Sequence, residues 1–318
     1  MTTGTALSTK EKASSQRKAR FIKWVPLYLM MVPGALYLFI NNYIPMFGLV
    51  IAFKSVDFQK GIWNSPWCGL ANFKFLFQTK DAWVITRNTL LYNLCFILLN
   101  TFIGILFAIF ICDIAWKAGK KIYQSAILFP YLMSWVIVGY IIYALFSMQY
   151  GVVNKSILPA LGMDQIMWYN EPKYWPAILI ITNTWKGIGY GCLIYISSIN
   201  GIEASYFEAA ELDGANKLQQ IWNITIPEIL PSVITLTLLS IGRIFYSDFG
   251  LFFQVPRDSG LLYSVTDTID TYVYRGLMKI GNVGMSSAVG FYQSIVGFIL
   301  VMLSNWIVGK ISPENALF

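Results

Sequence analysis

Residues 205–231 read SYFEAAELDGANKLQQIWNITIPEILP. The interval is polar, and it carries the punctuation of regular structure. Ser205 followed three residues on by Glu208 has the spelling of a capping box, in which hydroxyl and carboxylate satisfy orphan backbone donors at a helix start. The spacing predicts a short helix beginning there. Tyr206, Phe207, Ala210 and, less squarely, Leu212 form its apolar side, while Glu208, Glu211 and Asp213 form a polar one. Gly214 stands where a left-handed residue would end such a helix. A second short helix, from Ala215 to about Asn223, is expected to leave at an angle until Pro227 and Pro231 restart the chain as an apolar helix.

On either side of this interval the chain is apolar. Of its 318 residues 56% are hydrophobic and only 12% charged, so long uncharged runs are unavoidable. That composition belongs to a polytopic, all-α membrane protein. The candidate spans are Val25–Phe53, Thr89–Ala115, Ser125–Ser147, Pro176–Ile199, Ile229–Phe249 and Ser286–Val308, each reaching the roughly 20 residues that cross hydrocarbon. The first is too long for a signal-peptide core, lacks a small-residue cleavage site, and is expected to kink at Pro33 and Pro45. The chain thus divides into a basic tail (1–24), a membrane domain (25–308) with its polar loop at about 200–227, and a short tail (309–318).

Lys10, Lys12, Arg17, Lys18, Arg20 and Lys23 crowd ahead of the first run, which places that end in the cytoplasm. Six spans then put Lys117, Lys120 and Lys121, the Glu208 loop and the C-terminus with Lys310 on the same side. Both termini are thereby expected on the cytoplasmic side of the membrane. The bias is imperfect, since the outer loops carry Lys54, Lys60, Lys74, Lys80, Arg257, Arg275 and Lys279. The net charge of +7 reads as orientation against anionic membrane lipid and not as affinity for nucleic acid. The Glu208 loop is acidic apart from Lys217, which suits a protein partner better than lipid headgroups.

Several kinds of chemistry are excluded. The chain has no histidine, and Cys68, Cys95, Cys112 and Cys192 lie far apart with no metal-ligand or CxxC spacing, so no metal site is expected. No GxxxxGK[ST] occurs, and no soluble domain of useful size is left over, so ATP, if used, is hydrolysed by another polypeptide. Gly187, Gly189 and Gly191 lie inside a span and not after a strand; close helix packing between Gly187 and Gly191 is the expectation.

Glu208-Ala209-Ala210, Asp213-Gly214, and then Ile224-Thr225-Ile226-Pro227 nine residues beyond the glycine resemble the cytoplasmic loop signature of binding-protein-dependent ABC importer permeases. That family usually has Leu where this chain has Ile226. The resemblance implies a type I ABC importer permease fold of six transmembrane helices, with Ser205, Glu208, Ala209, Ala210, Asp213, Gly214, Ile224 and Pro227 in a coupling element seated in an ATPase cleft. It also implies a bacterial cell (inner or plasma) membrane as the location, and the partners: a second homologous permease, two ATPase subunits that use ATP and Mg, and an extracytoplasmic solute-binding protein, with no cofactor on this chain. Residues 65–73, 185–191, 270–277 and 314–318 resemble the subfamily importing oligosaccharides and polysaccharide fragments. Activity would be alternating access, not catalysis by this chain.

Lys186 lies roughly 15 Å into the fourth span by helical rise, and a charge there costs several kcal/mol without a partner or a wet cavity. Asn183, Lys186 and Tyr190 share a helix face, with Trp185 beside them, and Arg243, Tyr246 and Asp248 take the same part in the fifth span. These residues either line a translocation path, donating to sugar hydroxyls or carboxylates while rings stack on pyranose faces, or form a buried network pairing Lys186 or Arg243 with Asp248. Trp135, Tyr140 and Tyr143 are weaker candidates. A self-sufficient secondary transporter with a charge relay at Lys186, Arg243 and Asp248 is the rival class of function. A secondary transporter has no reason to own a glycine-hinged cytoplasmic helix.

Overall fold

The computed structural model describes residues 23–74 and 78–311; the basic residues Lys10 to Arg20 and the 314–318 stretch lie outside them. The described chain is helical, its one extended pairing being an isolated bridge between Lys54 and Trp67. Five helices are long and apolar enough to cross a membrane, and a bent pair makes a sixth crossing if counted as one. They are α1 (Lys23–Phe53), α2 (Lys80–Asp113), the pair α3 (Lys117–Leu132) and α4 (Trp135–Phe146), α5 (Trp175–Asn200), α7 (Lys217–Ile241) and α10 (Val283–Ile311). Between them lie the short helices α6 (Ala204–Leu212), α8 (Phe249–Gln254) and α9 (Ile269–Met278).

Helices α2 and α5 form the centre. Towards the C-terminal ends of both helices Ala108 and Ile111 pack against Cys192, Tyr195 and Ile196; towards their N-terminal ends Tyr92 and Phe96 meet Trp175, Ile178 and Leu179, with α4 and α8 closing over them. Gly189 of α5 is where α3 comes closest: a Cβ there would sit 2.3 Å from the Ile127 carbonyl oxygen. Of the expected packing glycines, Gly187 lies close against Asn100 of α2, where a Cβ would sit 3.2 Å from its Nδ2, and a Cβ at Gly191 would be in ordinary contact with the Tyr195 ring at 3.8 Å. Helix α1 is almost unburied, and its C-terminal end meets the body, where Phe53 lies edge-on against Phe291 of α10. Its ladder runs through Pro33 and changes at Pro45, between a π turn at Phe39–Tyr43 and a 3-10 stretch at Phe47–Phe53.

Three expectations are corrected. The third apolar run is not one helix: α3 and α4 meet at 95°. Met133 and Ser134 are extended there, and Ser134 Oγ accepts the Ile137 N–H at 3.3 Å, so a capping serine restarts the helix inside the apolar run. The fifth span begins earlier than Ile229 and ends at Ile241. No separate second helix precedes it: Lys217 to Ile241 is continuous, and a π turn at Ile221–Thr225 widens the ladder just ahead of Pro227, which has no N–H to give and a ring that needs room.

The loops that join these helices carry buried polar groups with partners among the described residues. Asn154 is fully buried, accepts from the Ile166 N–H and the Trp168 indole, and donates to the Ile166 carbonyl. Lys54 is buried as well, donating to the carbonyls of Ile62 and Trp63. Around α9, Arg275 pairs with Asp258 and Asp267 while Lys279 also meets Asp258. Burial holds the Asp267 carboxyl above its ordinary range, the Arg275 charge offsetting only part of that shift.

Candidate functional site

Two sites emerge, one within the helices and one on the loop that opened the sequence reading. The first is a cavity of about 490 Å³ between α2, α5, α7 and the segment that follows α7. Asn183, Tyr190, Arg243, Tyr246 and Asp248 line it. Asn93 and Asn100 of α2, with Ser240 and Ser247, complete its polar wall. The two asparagines fall at i and i+7 in an apolar run, a signal that was present in the sequence. Asn100 Nδ2 donates to Asn183 Oδ1 at 3.2 Å, joining α2 to α5.

Arg243, Tyr246 and Asp248 are not helical. They ride on an irregular turn, 242–248, between α7 and α8. That turn is held from three sides. Asn93 of α2 donates to the carbonyls of Ile244 (3.0 Å) and Tyr246 (3.3 Å); Gln293 of α10 donates to that of Phe245 (2.6 Å); Asp270 of α9 accepts from Ser247 N–H and Oγ, both at 2.7 Å. Backbone groups that would otherwise lack partners inside a membrane protein are thus satisfied by side chains of three helices. The turn is a preorganised platform, and Asn93, Asp270 and Gln293 are the residues that fix it.

Asp248 does not pair with a cation. Its Oδ1 caps α8, accepting from the Gly250 and Leu251 N–H groups, and its Oδ2 accepts the Trp135 indole N–H at 2.7 Å. Lys186, buried and absent from the cavity wall, donates to the Tyr131 carbonyl at 2.8 Å, in the last turn of α3. Its ammonium also lies 5.0 Å from the centre of the Trp135 ring and 5.4 Å from that of Tyr131. A cation at a helix C-terminus meets both an orphan carbonyl and the negative end of the helix dipole. Lys186 therefore secures the break between α3 and α4, and Trp135 stands between it and Asp248. Among the described residues no ion pair within 4.0 Å joins Lys186 or Arg243 to Asp248, so of the two alternatives the buried charge pairing is not formed. Trp185 is not on the cavity wall and is 41% exposed. Tyr143 lies under the Arg257 guanidinium at 4.2 Å, and Tyr140 is exposed.

The second site is α6, joining α5 to α7. Its N-cap is Glu203, with no side-chain capping bond; Ser205 already lies inside the helix, its Oγ on Glu203 Oε2 at 3.3 Å. The expected Ser205–Glu208 box is therefore absent, because the extended Glu203 starts the helix ahead of Ser205. A box does form one helix later, where Asn216 and Gln219 exchange bonds of 2.9 and 2.8 Å at the head of α7. Gly214 behaves as expected, with φ +80°. Its N–H reaches the Glu211 carbonyl and the Ala215 N–H reaches that of Ala210 at 2.8 Å, the paired bonds of a Schellman ending. No residue of α6 is buried. Ser205, Glu208, Ala209 and Asp213 are exposed, Ala210 and Ile224 half-buried, Pro227 exposed, and Leu212 is 90% exposed beside uncovered Tyr206, Leu218 and Trp222. A rigid, capped helix therefore displays apolar and acidic side chains together.

The family of binding-protein-dependent transport system inner membrane components matches residues 19–313. The chain belongs to that family. Two relatives from Bacillus subtilis (strain 168) are each 32% identical to this inner membrane component. Protein LplB aligns over 92% of this chain and 91% of its own length, and the polygalacturonan/rhamnogalacturonan transport system permease protein YteP over 94% of each. A crystal structure of a bacterial ABC transporter involved in import of the acidic polysaccharide alginate contains a chain that superposes with a TM-score of 0.85. Identity is 28%, and the match covers 93% of this chain and 99% of that one. The ABC permease resemblance and the type I permease fold are thereby shown, and this family member is a multi-pass component of a binding-protein-dependent transporter.

Proposed function

We propose that this inner membrane component is one of two homologous permease subunits of an ATP-driven importer of oligosaccharides or polysaccharide fragments. Two separate ATPase subunits hydrolyse ATP, and an extracytoplasmic solute-binding protein delivers the sugar. The observation that carries the reading is α6: a capped helix with no buried residue, set between two spans, its acidic and apolar side chains left for a partner. A small rigid body attached at both ends to spans is what transmits a push. The sugar class is supported by the named cargo of YteP and of the alginate transporter, and by a cavity that pairs exposed tyrosine rings with amides and a guanidinium.

In this reading the cavity wall, Asn183, Tyr190, Arg243, Tyr246 and Asp248, belongs to the path, and Ser205 to Gly214 with Ile224 and Pro227 to the coupling element. A self-sufficient secondary transporter loses its relay, because Lys186 and Asp248 are each engaged by other groups. Reconstitution decides between the two. ATP hydrolysis stimulated by sugar-loaded binding protein is expected from the assembled complex, and ion-gradient-driven uptake by this chain without ATPase subunits would overturn the proposal.

Both termini and α6 are assigned to the cytoplasm. A thiol reagent confined to the outer face is expected to label Cys68, which is half-buried in the outer loop, and not a Lys117→Cys variant at the start of α3. The opposite pattern would place α6 on the wrong side for an ATPase.

A further inference from the structure

The cavity's charges are not equivalent. Asp248 has spent both oxygens, on the α8 backbone and on Trp135, and Lys186 has spent its ammonium on the Tyr131 carbonyl outside the cavity wall. Asn93 has committed its amide to the backbone of the turn. Arg243 differs: among the described residues its guanidinium has neither an ion-pair partner nor a hydrogen bond, it is exposed, and it faces the cavity. The turn beneath it is fixed by Asn93, Asp270 and Gln293, so its backbone is already in place before any ligand arrives. Tyr190, stacked on Tyr131 on one side, and Tyr246 stand on the same wall, 53% and 44% exposed.

We infer that Arg243 is a specificity-determining residue that selects carboxylate-bearing sugars, hexuronate units above all, through a two-pronged bond to the sugar carboxylate. The inference rests on the reading of this cavity as the sugar path. A guanidinium presents two parallel N–H donors that match a carboxylate, which a neutral hydroxymethyl group cannot satisfy. In a site walled by protein a neutral sugar would leave the guanidinium without a counter-charge, and that penalty discriminates more strongly than the gain from the correct partner. Tyrosine faces then hold the pyranose ring, and the amide of Asn183 meets hydroxyls.

The test compares wild type, Arg243→Gln and Arg243→Lys in the complete transporter. Each imports a hexuronate trimer and, separately, its carboxyl-reduced neutral counterpart; taking each sugar as a variant-to-wild-type ratio cancels discrimination by the solute-binding protein. Membrane abundance is followed by immunoblot. Arg243→Gln is expected to lose uronate uptake by about tenfold or more, the scale of one charged hydrogen bond, and to raise neutral uptake, because the uncompensated charge that penalises the neutral sugar is gone. Arg243→Lys, which keeps the charge without the fork, should recover part of the uronate uptake. Parallel loss of both sugars, loss of abundance in both variants, or full uronate uptake by Arg243→Gln would overturn the assignment. Wild-type uptake of the neutral trimer alone would leave a sugar permease standing and sink the acidic preference. Uptake of neither would sink the sugar-path reading and the inference with it.

Discussion

A transporter carrying Gly214→Val is expected to bind sugar-loaded solute-binding protein as the wild type does and to show no sugar-stimulated ATP hydrolysis. Gly214 holds φ +80°, and nothing lies within 4 Å of where its Cβ would be. The penalty is therefore one of backbone conformation and not of crowding. A left-handed residue costs an L side chain roughly 1–2 kcal/mol, and a β-branched one more. The replacement would pull the chain out of that region, break the bonds to the Glu211 and Ala210 carbonyls, and change the angle at which α6 meets α7. Gly214→Asn, which tolerates the left-handed region, should retain most of the stimulation. Glu208→Ala works differently. Glu208 caps nothing and is exposed, so its removal should leave the thermal stability of the purified chain unchanged while stimulated hydrolysis falls by about tenfold or more, the scale of truncating one member of an interfacial charge pair. Full stimulated hydrolysis in both Gly214→Val and Glu208→Ala would show that α6 is not the coupling element.

Lys186→Glu is expected to fail at assembly, before transport is at issue. The substitution places a carboxylate against the Tyr131 carbonyl, at the negative end of α3, beneath two ring faces that attract cations and repel anions. Leaving a buried charge without its partner costs on the order of 3–5 kcal/mol, and that is a large share of a domain's net stability. The break between α3 and α4 would lose its fastening, and Trp135 would lose the cation over its face while still bonded to Asp248. Membrane abundance and thermal unfolding in detergent are the readouts. Lys186→Glu should be depleted in the membrane, Lys186→Met partly so, and Arg243→Gln should accumulate normally. Normal accumulation of Lys186→Glu together with lost uptake would return Lys186 to the path.

The sequence by itself determined a great deal about this protein. An apolar, histidine-free chain with few charges must be a helical bundle in a membrane, because only closed helical ladders or barrels satisfy the backbone in hydrocarbon, and the runs are too long for strands. The loop motif identified the family, and Gly214 took its left-handed conformation because a helix ending is a local event governed by neighbouring residues. Local rules also misplaced Ser205, where the helix start depended on the extended Glu203 ahead of it. What the tertiary structure alone decided was the partner of each intramembrane charge. Helical spacing put Lys186 on the face of Asn183 and Tyr190, yet its long stem carried the ammonium to a carbonyl 55 residues earlier in the chain, in the last turn of α3. The turn at 242–248 was read as helix, since its hydrogen bonds come from Asn93, Asp270 and Gln293 on three other helices and leave no trace in the local pattern. Composition decides that a buried polar group must find a partner; only packing decides which one is within reach.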